Sequence, residues 1–397
     1  MGTARKTLLL AARDLVLLVF DMAFRTLQPC VRSTNDDIAI VRLDGLGDFV
    51  MWLDAFNALK DHHSSRRITL ICNSAWSDLA ERVPGFDEII PIEVRRLRKD
   101  LAYRYHTFGE LARRKFVTVI NPLYTRQGFT DGEALVRILR ADEKIGSSGD
   151  PSAGWRSRLG SYWFDKLLPA SDEPLMEFQR NAEFLRVLGL SEYQAGLPQL
   201  STDLFPHEDI PSESYYILFP GASDNIKSWS PACFAEIGRR IHEQTGMLGV
   251  VCGGPGDTKA AAEVVALSDV RMIDRSGRTS LTALAALIGR SELLVSNDTG
   301  AVHIAAALSI PSVCVVGGGH FGRFLPYLSE RAEDRPSPRP VFHKMDCYGC
   351  NWLCIHEIEP GQPAPCVSSV SVARVFNEVQ AILRDLEKRL GPHASPS

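Results

Sequence analysis

A chain of 397 residues is long enough for two or three cores of ordinary size. With 45% hydrophobic and 23% charged residues, 30 Gly and 23 Pro, it has the composition of a globular protein, which excludes collagen-like, disordered and multi-pass membrane classes. Lys plus Arg number 44 against 48 Asp plus Glu, and the formal net charge of −4 leaves no basic surplus for neutralising phosphate backbones, so nucleic acid is excluded as the main partner.

Residues 7–27 read TLLLAARDLVLLVFDMAFRTL and carry Arg13, Asp14, Asp21 and Arg25, too many charges for a spanning helix. The stretch has no small-residue cleavage site, so it does not read as a secretory signal. On a helical projection the charges gather on one side, where Leu10 and Leu17 intrude, and Arg5 and Lys6 open the segment. Two readings follow: a helix lying peripherally on the anionic inner membrane, or a helix packed on the protein's own core. With the linker at 29–37, this gives an N-terminal segment over 1–36.

Next, DDIAIVRLDGLGDFVMWLDAFNALK predicts a strand, a tight glycine-bearing turn and a helix. Further strands are predicted at 66–72, 88–91 and 116–121. The basic run 95–115 reads either as a solvated helical face or as a docking surface for a phosphorylated or acidic acceptor. Residues 146–160 predict a loop and 177–190 a helix ending near a glycine. The aperiodic, Pro-containing and acidic stretch 201–214 reads as a linker. A second alternating block then predicts strands at 215–219, 248–252, 270–274, 293–296 and 312–316, and a final helix covers 371–389. Alternating strands and helices give the expected fold class: α/β, two Rossmann-like doubly wound domains facing a central cleft, with an N-terminal amphipathic helix and a C-terminal helix. The expected domains are 37–205 and 213–370, the latter with a cysteine-rich insertion at 345–367, followed by a helix and tail over 371–397.

Ligands of such sheets sit beyond the carboxyl ends of the strands, so the loops there carry the chemistry. The first, 42–48 (RLDGLGD), brings two glycines and then Asp48 to a helix start, as an acid/base group or a plain helix cap. It lacks the third glycine of the dinucleotide fingerprint. The loop 220–229 (PGASDNIKSW) offers small residues, the Ser223 hydroxyl and the Lys227 cation, which suit a diphosphate. In 291–319 a strand runs into Asn297-Asp298-Thr299-Gly300 and a small-residue helix carrying His303, so that helix-terminal donors face a phosphate.

RLDGLGD, PGAS followed by K-x-W, SGRTSLTALAALI and SNDTGAVHIAAAL-x-I-P together resemble glycosyltransferase family 9, the heptosyltransferases of lipopolysaccharide core assembly, in the same order across 37–383. The resemblance implies a GT-B fold, a nucleotide-sugar donor held by the C-terminal domain and a lipid-linked or glycan acceptor held by the N-terminal one. The family's typical donor is ADP-L-glycero-D-manno-heptose. It implies Asp48 as general base, Ser223 and Lys227 in the donor-phosphate loop, and Asp298, Thr299, Gly300 and His303 at the diphosphate. Ala301 and Val302 stand where proline and methionine are common in the family, and neither change removes a polar contact. The implied reaction is an inverting transfer without an obligatory catalytic metal, in the cytoplasm. The alternatives are a GT-B-fold sugar-nucleotide epimerase and a catalytically silent glycan-binding relative.

Of nine cysteines, Cys30, Cys72, Cys233, Cys252 and Cys314 are scattered. Cys347, Cys350, Cys354 and Cys366 cluster, either as a tetrahedral zinc or iron site or as unmetallated thiols in a loop-rich insertion. Related autotransporter heptosyltransferases carry a cysteine iron site that the cluster resembles.

Overall fold

The computed structural model describes residues 2–29, 37–126, 131–150, 154–206 and 209–390, with no side-chain placement for 2–12. The predicted linker around 30–36 with Cys30, the side chains of Arg5, Lys6 and Leu10, parts of the predicted loops at 151–153 and 207–208, and the tail from 391 lie outside the described residues. The chain divides into two compact units, residues 1–49, 55–173 and 180–194 in one and 50–54, 174–179 and 195–397 in the other.

The first unit is built on strands β1 (Ile38–Arg42), β2 (Ile68–Asn73), β3 (Glu88–Ile92), β4 (Lys115–Asn121), β5 (Arg140–Ser147) and β6 (Lys166–Leu168). They pair in parallel in the order β3-β2-β1-β4-β5-β6. β1 lies between β2, with Ile38 opposite Ile68, and β4, with Ile38 opposite Thr118. All its residues are buried, as its unbroken apolar sequence requires of a strand covered on both faces.

The second unit repeats the plan with β7 (Tyr215–Phe219), β8 (Leu248–Val251), β9 (Met272–Asp274), β10 (Leu293–Asn297), β11 (Ser312–Val315) and β12 (Arg339–Val341), parallel in the order β12-β11-β10-β7-β8-β9. Counted from its own first strand, this is the same 3-2-1-4-5-6 order as in the first unit, the Rossmann arrangement. The order reverses between β1 and β4 in one sheet and between β7 and β10 in the other. The loops leaving those strands therefore splay apart and open a crevice at each reversal.

Three strands were not predicted, and the reasons differ. β5 reads RADE in its first half, a polar signature, yet its last four residues are buried. Its Lys144 is buried with the ammonium donating to the Val136 carbonyl at 2.7 Å, and burial pushes its pKa down to about 7. β6 and β12 are three-residue edge strands, too short for a periodic signal. The expected loop at 146–160 is corrected: it begins as the end of β5 and ends as the helix Gly154–Gly160. The basic run 95–115 forms the helices Val94–Lys99 and Leu101–Ala112 and enters β4.

The N-terminal helix Gly2–Leu27 packs on Leu101–Ala112 and Gly132–Ile138. Asp21 is fully buried and paired with Arg104 at 2.5 Å and with Arg137, both also buried. The acidic side of this helix thus faces the protein. Among the described residues no helix is long and apolar enough to cross a membrane.

Candidate active site

At the first reversal, the RLDGLGD turn is held from below by ionic and polar contacts. Arg42, the last residue of β1, is wholly buried, and its guanidinium grips Asp44 through Nη2–Oδ2 at 2.5 Å and Nε–Oδ1 at 3.4 Å. The Asp44 carbonyl accepts from the Trp76 indole at 2.9 Å and the Asn73 amide at 3.4 Å. Phe49 stacks on Trp76 with ring centroids 4.2 Å apart. The turn is therefore rigid before any ligand arrives. Asp48 is not the cap of the helix Leu46–His62: Gly45 takes that position, and Asp48 lies in the first turn, where the helix dipole favours a negative charge. A Cβ on Gly45 would stand 3.0 Å from the Asp48 carboxylate, so the glycine leaves room for that carboxylate to lie over the turn.

The β4 end of the same reversal is also ionic. Arg126 and Glu133 form a buried pair at 2.8 Å, and Arg98 donates to Asp131 at 2.6 Å through Nε. None of Arg42, Asp44, Arg126, Glu133 or Asp131 was singled out from the sequence. Single charged residues in an α/β pattern give no sign of which partner they take, near in sequence as for Arg42 and Asp44 or far as for Arg98 and Asp131.

At the second reversal one buried side chain joins the two loops. Asn297, the last residue of β10, accepts from the Trp229 backbone N–H at 3.0 Å and donates to the carbonyls of Pro220 at 2.8 Å and Gly221 at 3.3 Å. The loop after β7 turns through Asp224, whose carboxylate accepts from the Ile226 N–H at 3.2 Å, into the short 3₁₀ turn Asn225–Lys227. Ser223 is exposed and Lys227 half-buried. The Lys227 ammonium lies 5.0 Å from the centroid of the Trp352 ring and also acts on Asp298, whose carboxyl is pushed up by burial and held back by that cation. Thr299 caps the helix Gly300–Ala307 without a side-chain cap bond, its hydroxyl instead meeting Ser296 Oγ at 3.2 Å. Lys227, Asp298, Thr299 and Gly300 are thus brought together at this reversal.

His303 is placed differently from its neighbours. It is 3% exposed, its Nδ1 is 2.6 Å from the Tyr327 hydroxyl, and the two rings stack. Desolvation lowers its pKa to about 4, so the ring is neutral at pH 7. A glycine loop missed from the sequence, 253–257 (GGPGD), adjoins the loop after β7. Asp257 accepts from Gly254 N–H at 2.8 Å and from the Ala222 backbone, and its carboxylate fills the space that a Cβ on Gly221 would need. The glycine-rich spacing after β8 was the signal that could have found it.

The cysteine-rich segment packs as a lid of aromatics on the glycines that follow β11. Trp352 lies where Cβ atoms on Gly317 and Gly319 would stand, and Tyr348 where one on Gly318 would. Gly349 and Asn351 donate from their backbones to the carbonyls of Gly318 and Gly319 at 2.9 and 3.0 Å. The thiols of Cys347, Cys350, Cys354 and Cys366 are all free. Cys366 accepts from Gly318 N–H at 3.3 Å, while Cys347 lies 3.8 Å from His356 Nε2. Among the described residues no three His, Cys, Asp or Glu side chains group so as to hold a metal ion. Burial and the nearby Cys347, Cys350 and Cys354 push the Cys366 thiol up, so the four thiols expected to hold zinc or iron lie near one another, with no ligand set formed among them. The segment is fixed instead by its aromatic rings and backbone hydrogen bonds.

The model of glycosyltransferase family 9 (heptosyltransferase) matches residues 176–335, which carry this second reversal. The lipopolysaccharide heptosyltransferase 2 of Salmonella typhimurium is 25% identical over 317 residues, 74% of this chain and 86% of its own. Over these residues the chain is similar to glycosyltransferase family 9. The solved structure of the Escherichia coli ADP-heptose lipopolysaccharide heptosyltransferase II superposes with a TM-score of 0.65 at 19% identity, covering 88% of this chain and 99% of its own. A dodecameric iron-containing heptosyltransferase, TibC, superposes at 0.55 with 14% identity, covering 90% and 79%. The fold is accordingly GT-B, and the activity class is glycosyl transfer.

Proposed function

We propose that this glycosyltransferase moves a heptose from an ADP-activated donor to a lipopolysaccharide or other surface-glycan acceptor, with inversion at the anomeric carbon. The observation that carries the donor half is the second reversal, where a cation, a small-residue loop and a helix start converge. A diphosphate is the ligand whose charge suits that convergence. The likeness to lipopolysaccharide heptosyltransferases supports heptose as the sugar and lipopolysaccharide as the acceptor class.

In this mechanism Asp48 accepts the proton of the attacking acceptor hydroxyl while the anomeric carbon passes through an oxocarbenium-like state. Lys227 and the first turn of Gly300–Ala307 stabilise the charge growing on the departing ADP, and the Ser223 hydroxyl adds a hydrogen bond. A carboxylate repels a diphosphate, so Asp298 acts by holding Lys227. With Nδ1 engaged by Tyr327, His303 has only Nε2 left to face the diphosphate. No metal is required for these steps, and activity should persist in a chelator. The site of action is the cytoplasm, with the acceptor at the inner leaflet.

Calorimetry with ADP-heptose, UDP-, GDP- and CMP-sugars on the wild type and on Lys227→Ala tests the donor. Selective ADP-heptose binding that weakens by about tenfold or more in the mutant is expected, since hydrogen bonds to charged groups contribute about 1.5–3 kcal/mol. Preference for another nucleotide would reassign the donor, and retained ADP-heptose affinity in Lys227→Ala would remove Lys227 from the site.

A further inference from the structure

The N-terminal helix Gly2–Leu27 has its polarity turned inside out. Its two acids are its best-buried described side chains, Asp14 at 4% and Asp21 at 0% exposure. The opposite face shows Leu15 at 44%, Val16 at 53%, Val19 at 68%, Phe20 at 60% and Leu27 at 81% exposure. Positions 15, 16, 19, 20, 23 and 27 fall on one stripe at helical spacing, with Ala23 completing it. A helix held only by its own amphipathicity would roll to bury that stripe. This one is prevented from rolling because Asp21 is bound between Arg104 and Arg137. The fold therefore uses buried ion pairs, a costly device, to keep an apolar stripe facing outward.

We infer that this stripe seats the protein on the surface of an anionic lipid bilayer. The exposed charges around it lean basic, with Arg13 paired to the buried Asp14, Arg96 to Glu93 and Asp100, and Arg98 to Asp131. Arg13 has a side chain 49% exposed, and both acids of the helix among the described side chains are buried. The adjoining helix Val94–Lys99 exposes Arg95, Arg96, Arg98 and Lys99. The two helices are joined by Arg104, which donates to the Leu97 carbonyl at 3.1 Å as well as to Asp21. Apolar side chains flanked by arginine and lysine are the pattern of a helix lying in the headgroup boundary. The five side chains expose on the order of 500 Å², short of the about 800 Å² per partner of a stable protein interface, so a second copy fits less well than a lipid surface. The inference goes beyond the donor assignment and stands without it.

The test is co-sedimentation of the full chain with vesicles of phosphatidylcholine alone and of phosphatidylcholine with phosphatidylglycerol. The wild type should bind the anionic vesicles and bind the neutral ones weakly. The quadruple variant Leu15→Ser, Val16→Ser, Val19→Ser, Phe20→Ser should lose about tenfold or more of the bound fraction. Arg13→Gln with Arg95→Gln should lower the preference for anionic lipid. Nucleotide-sugar binding by the quadruple variant should match wild type, which shows that its fold is intact and separates this outcome from failure of the donor reading. A wild type that stays in the supernatant with both vesicles overturns the inference. So does a quadruple variant that binds as well as wild type. Light scattering that finds a wild-type dimer and a monomeric variant, without vesicle binding, would also overturn it and assign the face to a second copy.

Discussion

The two sheets share one strand order, yet their reversal points are held together by different chemistry. In the first unit the contacts are charged and buried: Arg42 with Asp44, Arg126 with Glu133, and Asp21 between Arg104 and Arg137. In the second no buried ion pair does this: the side-chain contacts are mostly neutral, and the Asp224 and Asp257 carboxylates accept from backbone N–H groups. Asn297 joins the two loops, the Tyr215 and Tyr216 hydroxyls donate to Leu287 and Gly238 carbonyls at 2.7 and 2.9 Å, and the Trp229 indole donates to Val370 at 2.8 Å. A frame without buried ion pairs leaves Lys227 unspent on a structural partner of its own frame, as suits a loop pair proposed to meet a diphosphate. The ionic frame of the first unit spends its charges on each other and fixes geometry, which suits a unit proposed to hold a carboxylate base in place.

The comparison is broken most directly at Asp48. On the proposed mechanism Asp48→Asn should lower kcat by about 10²–10⁴-fold while leaving the calorimetric affinity for ADP-heptose unchanged, because the donor loops belong to the other frame. A loss of less than tenfold would move the base elsewhere. The ionic frame is probed by Asp21→Ala, which leaves Arg104 and Arg137 buried without their carboxylate. It should cost about 3–5 kcal/mol in denaturant unfolding, whereas replacing the whole triad with apolar residues should cost far less. If the single variant costs under about 1 kcal/mol, the buried charges do not anchor the helix.

The neutral and ionic frames also differ in how far the sequence revealed them. Unbroken apolar runs such as IAIVR and LLVSN announced buried parallel strands, because a strand covered on both faces has no polar alternation to confuse it. The glycine turns after β1, β7 and β10 announced the loops at the reversals, since close backbone approach needs small residues. Hidden were features that depend on which groups the folded chain brings together. Lys144 inside β5 reads as surface until the Val136 carbonyl is seen to take its ammonium, and Arg42 reads as an ordinary loop residue until Asp44 folds back on it. The direction of the N-terminal helix was hidden for the same reason, because its charged side is the natural solvent face until Arg104 and Arg137 claim Asp21. At His303 the loop motif suggested a ligand contact, and the structure adds Tyr327, a partner 24 residues on that no local pattern foretold.

His303 offers a pH test of the second frame. Its folded pKa, lowered to about 4, lies below the unfolded value of 6.5, so the unfolded chain takes up the proton first. The stabilising contribution of the neutral ring is fully present above pH 6.5, falls as the pH drops towards 4 and is gone below it. The loss is on the order of 3 kcal/mol. His303→Gln should remove this part of the acid slope in unfolding curves taken between pH 4 and 6.5, and an unchanged slope would mean that other groups carry it.

The smallest expected effect is the sharpest on the difference between the frames. Asn297→Ala strands the Trp229 N–H and the Pro220 and Gly221 carbonyls, which should cost about 1–3 kcal/mol, less than the loss of a buried charge partner. A neutral amide carries no titrating proton, so this cost should be the same at pH 5 and pH 8. Because Asn297 is what ties the β7 loop to the β10 loop, ADP-heptose affinity should fall together with stability, whereas Asp21→Ala should lower stability alone. If Asn297→Ala loses stability but keeps its affinity for the donor, the two loops hold their places without the amide, and the neutral frame is packing rather than a device that aligns Lys227 with the start of Gly300–Ala307.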